Sequence, residues 1–217
     1  QQVTLCTEAI RLARALGDLL PDEPEVHGLL ALMLLHDSRR TARTSADGDL
    51  VPLDEQDRGR WDRVQIADGV RALGRARAAS GGAGPYVLQA EIAACHATAS
   101  APAATDWDRI VALYDRLVEV VPSPHVRLGR AVAIGMARGA DAGLDALAEL
   151  HDAGAPHHLA AHLLAAAEAD LLRRAGRGAS ATEAYRRALG LAPTEAERRF
   201  LERRLAELSD AHRLPDA

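Results

Sequence analysis

Lysine is absent from this chain: all 26 basic residues are arginine. A GC-rich genome accounts for that choice better than any physical requirement, and no function attaches to it. Cysteine is almost absent. Cys6 and Cys95 stand far apart, each inside an apolar run, a pattern that offers neither a disulfide framework nor a zinc site and suits a reducing compartment. Aromatic residues make up only 3% of the chain, so the core must be closed by aliphatic and small side chains, which lets helices approach closely. Arginine alternates with Asp and Glu instead of gathering into a block, and the formal charge is −5; direct binding of nucleic acid is not expected. No secretory signal pattern is present, and the longest apolar run, around Leu29 to Leu35, is too short to span a bilayer. The expectation is a cytoplasmic protein with no membrane partner. Gly-rich phosphate loops, nucleophile elbows and the strand series that would carry them are missing too, so no catalytic residue and no cofactor is assigned.

What is present is a helical code. Apolar residues form 48% of the chain, enough for a substantial core, and they recur at three- and four-residue spacing. The pattern predicts a first helix from about Val3 to Leu20, ended by Pro21, and a second from about Glu23. On the second, the apolar face of Val26, Leu29, Leu30, Met33 and Leu34 gives way to His36, Asp37, Arg39 and Arg40. The segment 41–53 reads as a loop or small hairpin around Ala46-Asp47-Gly48-Asp49; its two acids lack the later ligands of an EF-hand. A helix carrying the 53–63 stretch is expected to end near Ala79, and further helices follow at about 86–98, 105–121, 125–138, 140–152, 156–175, 181–192 and 194–208.

The second half has a repeat logic. Pro122 and Pro193 each close a helix and lie about two 34-residue periods apart. Ala169, Leu172, Ala181, Tyr185, Ala188 and Pro193 take the small, large, small, aromatic, small and terminating positions of a tetratricopeptide (TPR) unit. The fold class expected is therefore all-α, about ten helices in antiparallel pairs forming a TPR-like, solenoid-like repeat. Residues 1–100 are expected to form an irregular helical subdomain, 101–209 the repeats and 210–217 a tail. The trio His157, His158 and His162 lacks the acid of a metal-binding helix motif, and no metal site is assigned.

One stretch breaks the code: Leu53 to Arg63, LDEQDRGRWDR. Extending the apolar stripe of Ile66, Val70 and Leu73 backwards at about 100° per residue puts Asp62, Gly59, Arg58 and Glu55 on the core line. Trp61 then projects outward, and Asp54 is the candidate N-cap. A carboxylate on a core line needs a hydrogen-bonded partner, and His36, Asp37, Arg39, Arg40 and Arg58 are the candidates. Two arrangements satisfy these residues: an internal polar clasp that pins the 42–56 loop, or a recognition surface built on Trp61, Arg58 and Arg60, with Trp61 as anchor and Asp62 with Arg58 as the orienting pair.

The string EQDRGRWD, with LLALMLLHDSRR before it and DWDRIVALYDRLVEVVPSP and ERRFLERRLAEL after it, resembles the TPR-like C-terminal extension of ECF-type RNA polymerase sigma factors that carry a DQDRxxWD motif. Glu55 stands where that group has Asp. The resemblance implies a regulatory extension, with Glu55, Gln56, Asp57, Arg58, Trp61 and Asp62 as the partner-binding motif and His36, Asp37, Arg39 and Arg40 as its supporting polar cluster. Its implied partners are the sigma regions of the same chain and RNA polymerase, together with a small YCII-related DGPF protein. Promoter-binding regions are not among these residues, so the chain is expected to follow them. Two other readings compete: a free-standing TPR-like adaptor unrelated to transcription, and a hydrolase using His36, Asp37 and the acids of 54–62.

Overall fold

A computed structural model describes residues 2–79, 82–152 and 161–211. Among these the regular structure is helical, with no strand and ten α-helices. The chain divides into two units, residues 1–44 with 51–122, and residues 45–50 with 123–217. The division falls at Pro122 and not near residue 100, because the helix that follows the proline-containing link packs on the helix before it. Among the described residues, no helix is long and apolar enough to cross a membrane.

The first unit contains α1 (Gln2–Leu19), α2 (Pro24–Asp37), α3 (Arg63–Ala78), α4 (Pro85–Thr98) and α5 (Trp107–Val120), with short 3-10 turns at Arg40–Ala42, Arg58–Arg60 and Pro102–Ala104. α2 is the hub. It is apolar on nearly every side, as a helix with neighbours all round must be, and it packs on α1, α3 and α4. Leu30, Ala31, Leu34, Leu73, Val87 and Ala90 close the core between them. The shortage of aromatics has the anticipated effect on spacing. A methyl group on Gly28 of α2 would lie 2.7 Å from the backbone nitrogen of Val87 on α4, and one on Gly69 of α3 would lie 2.8 Å from Leu35 Cγ.

α4 receives its caps from elsewhere in the chain. At its start, Glu25 of α2 accepts from the backbone N–H groups of Tyr86 (2.7 Å) and Val87 (3.1 Å), which places a negative charge at the positive end of the helix dipole. Gly84 makes room, since a side chain there would strike the Glu25 carboxylate.

The second unit contains α6 (Pro124–Arg138), α7 (Ala140–Asp152), α8 (Ala161–Arg174), α9 (Gly178–Leu191) and α10 (Glu195–Ala211). α6 turns into α7 through Gly139 alone, at φ 100°, a left-handed conformation that glycine adopts without strain. The short links pair α6 with α7 and α8 with α9, with α10 on α9. This is a helical repeat, and the TPR positions are its core: Ala169, Leu172, Ala181, Tyr185 and Ala188 are all buried in one cluster. Thr194 and Glu197 form a reciprocal capping box at α10 (3.1 and 3.2 Å). Residues 45–50 group with these helices, where Arg199 donates to Asp49 (2.5 Å) and Arg203 to the Leu50 carbonyl (2.8 Å). Of the histidine trio, His157 and His158 lie outside the described residues, as does most of the anticipated tail.

Candidate functional site

The stretch 53–62 is not α-helical, its regular part being the 3-10 turn Arg58–Arg60, which overturns the back-extrapolated geometry. Asp62 is the N-cap of α3, its carboxylate accepting from the Gln65 N–H (2.9 Å). Residues before it therefore do not follow the 100° rotation of the helix. Trp61, expected to face outward, is 3% exposed and packs with Leu35, Ala42, Ile66 and Ala97. Asp62, expected on the core line, is exposed.

The motif is stitched to the end of α2 and to α4. The Asp62 N–H donates to the Ser38 carbonyl (2.8 Å), while Thr41 and Arg60 exchange bonds: the Thr41 hydroxyl donates to the Arg60 carbonyl (3.0 Å) and the Arg60 guanidinium to the Thr41 carbonyl. Gln65 donates through its side chain to Asp37 (2.8 Å), which also accepts from Arg40. Asp57 caps the 3-10 turn by accepting from the Gly59 N–H (2.8 Å), and buried Gln56 donates to the Val51 carbonyl (3.0 Å).

Arg58 is the centre. Its Nη1 donates to the carbonyls of His96 (2.8 Å) and Ala99 (2.9 Å) at the C-terminus of α4, where helix carbonyls lack intrahelical donors and the dipole is negative. Its guanidinium also lies 4.5 Å from the Trp61 ring centroid. Burial, and then the charge of Arg63, hold its pKa below the usual arginine value. Arg63 in turn donates to the Arg58 carbonyl (3.2 Å). Gln56 Oε1, Arg58 Nε and Trp61 Nε1 are buried without a hydrogen-bond partner among the described residues, so among these the clasp carries unsatisfied polar groups as well as satisfied ones.

Beside the clasp, Arg39 and Arg43 each approach His36 Nδ1 at 3.1 Å. Guanidinium groups only donate, so Nδ1 is the acceptor, the imidazole is neutral and its proton sits on Nε2. Part of the His36 residue meets solvent, yet crowding by protein, followed by the charges of Arg39 and Arg43, holds its pKa down at about 4. His96 is likewise held at about 4 by burial and by Arg39 and Arg58, and its ring meets Trp107 of α5 edge-on, centroids 5.1 Å apart. Arg39 is itself lowered to about 10, by burial and then by Arg43. The supporting cluster thus splits: Asp37 and Arg40 join the clasp, while His36 and Arg39 form a separate basic group with Arg43.

Sequence reasoning missed His96, Ser38, Thr41, Arg43, Arg63 and Gln65 as members of this site. For Gln65 a signal existed: Asp62-x-x-Gln65 has the spacing of a capping box. Among the described residues no three His, Cys, Asp or Glu side chains gather in a way that could hold a metal ion.

Residues 1–77 match a family of unknown function, DUF6596. The match takes in α1, α2, the whole motif and nearly all of α3. Over 205 residues, 94% of this chain, the sequence is 40% identical to an uncharacterized protein of Rhizobium meliloti (strain 1021). The chain spans about half the length of that relative, 47%. No solved structure matches.

Proposed function

We propose that this chain is the regulatory, non-catalytic extension of an ECF-type sigma factor, acting in transcription initiation in the cytoplasm. The observation that carries the reading is the motif. Gln56, Asp57, Arg58, Trp61 and Asp62 each hold part of one clasp, so the string that resembles the sigma extensions is used here as a unit and is not a chance run of charges. The size of the relative supports it too, because a matched segment covering 47% of a protein leaves room for regions that bind promoter and polymerase.

In this reading the helical-repeat unit and the surface around the clasp contact the sigma regions of the same protein, or a small YCII-related DGPF partner. The motif acts by fixing the ends of α2 and α4; its buried members do not touch the partner. For the test, whatever polypeptide is encoded ahead of Gln1 in the same gene is expressed separately and titrated with this purified chain, and transcription by RNA polymerase is measured with and without it. Binding accompanied by a change in promoter-dependent transcription upholds the reading. A gene with no promoter-binding segment ahead of Gln1, or transcription indifferent to the chain, overturns it and leaves the free-standing adaptor.

A further inference from the structure

α1 is attached to the first unit by one side only. Leu5, Leu12, Leu16 and Leu19 recur at spacings of seven, four and three, which puts them on one line of the helix. All four are exposed, Leu5 at 69% and Leu19 at 77%. A line of leucines left in water along a whole helix is a larger apolar surface than scattered single residues provide. At the Leu5 end of this line, α1 and α2 wall an open groove of about 770 Å³ lined by Leu5, Ile10 and Met33 and ending at His36, Arg43 and the Asp37–Arg40 ion pair. The groove therefore has an apolar wall and a polar end at which Arg43 is the positive charge in excess of the Asp37–Arg40 pair.

That basic end is chemically incomplete. Arg39 and Arg43 converge on one neutral imidazole nitrogen, and Asp37, the acid on the groove's lining, is already engaged by Arg40 and Gln65. Arg43 gives its donors to that neutral nitrogen and to the His36 carbonyl, and an incoming carboxylate would accept from it in the paired, charge-assisted geometry that arginine favours.

We propose that the α1/α2 groove docks an amphipathic helix of a partner protein, its leucine-rich face laid against the apolar wall of α1 and α2 and a carboxylate side chain at one end taken by Arg43. An open trough with an apolar wall and a charged end fits the helix-in-groove mode of recognition. The proposal concerns the chemistry of the partner and does not depend on that partner being a sigma region.

The probe is a fluorescein-labelled 16-residue helical peptide with Leu at i, i+4, i+7 and i+11 and two Glu at one end. Saturable binding to the full chain is expected. Arg43→Glu should weaken it at least tenfold, and replacing the peptide's Glu by Lys should restore most of that loss. Leu5→Ser should weaken it severalfold. Both substituted positions are exposed, so circular dichroism of each variant should match the parent. The proposal is overturned if the peptide does not bind up to about 1 mM, or if binding ignores both substitutions. It is also overturned if laurate fills the groove while the peptide does not, or if sedimentation shows that α1 pairs with a second copy of the chain.

Discussion

Replacing Arg58 with Ala should loosen α4 selectively. The guanidinium makes two charge-assisted bonds to the helix's terminal carbonyls, each worth about 1.5–3 kcal/mol, and its contact with Trp61 adds about 1 kcal/mol. Against these stands the cost of holding a buried cation near Arg63, visible in its lowered pKa. A net loss of about 3 kcal/mol is expected. The chain has two units, so a single unfolding midpoint would blend them, and hydrogen exchange read by mass spectrometry is the better assay. At about 1.4 kcal/mol per decade, protection over residues 85–98 should fall roughly a hundredfold, with the second unit unchanged. Arg58→Lys should recover only part of it, because an ammonium lacks the planar face that stacks on Trp61. Protection in α4 within threefold of the parent in Arg58→Ala would refute this account of the motif.

Asp62→Ala should remove one N-cap bond and cost about 1 kcal/mol, seen as faster exchange at the start of α3 with the fold retained. Gly28→Ala should cost about 1–3 kcal/mol by overpacking, since its new methyl would meet the Val87 backbone at 2.7 Å; equilibrium denaturation of the first unit would show it. Stability should also fall as pH drops from about 6.5 to about 4. His36 and His96 are held at about 4 when folded, so over that window the unfolded chain takes up protons that the folded chain refuses. The loss is about 2–3 kcal/mol for His96 and, discounted for solvent screening, about 1 kcal/mol for His36. A His96→Gln variant should show a visibly flatter denaturant midpoint between pH 7 and pH 4.5.

The helices were legible because their signals are local: Pro21, Pro122 and Pro193 end helices, and apolar spacing marks Ile110 to Leu117 and Ala181 to Ala188 without reference to the rest of the chain. The motif was only half legible. Arg58 does find internal partners in the clasp, whereas Asp62, expected to need one of His36, Asp37, Arg39, Arg40 or Arg58, is exposed and caps its own helix through the Gln65 N–H. Where the side chains point depended on whether the helix begins at Asp54 or at Arg63, and propensity does not decide that, because Asp suits either cap. Asp62-x-x-Gln65 favoured the later start, and bonds from Ser38 and Thr41 make it possible by holding the preceding turn against α2. Partners such as the His96 and Ala99 carbonyls carry no sequence signal, since every residue has one. The domain boundary was misplaced for a similar reason: the small-residue link after α4 looks like a linker, but the contact of His96 with Trp107 across it holds α5 to the first unit.

The clasp and the basic group share one structural consequence. His36, Arg39 and Arg43 sit at the end of α2 or in the turn just beyond it, and that end is held in place by Ser38, Thr41 and Asp37 bonding to the motif. A substitution at Trp61 or Arg58 therefore displaces the arginine pair as well as the core. Loss of partner binding in such a variant would carry no information about direct contact, whereas loss in Arg43→Glu, with the clasp intact, would. The two sets of variants together separate a motif that binds from a motif that positions. The burial of Trp61 and the internal engagement of Arg58 favour the second kind, and under the proposal above the groove between α1 and α2 is the surface whose variants should lose the partner.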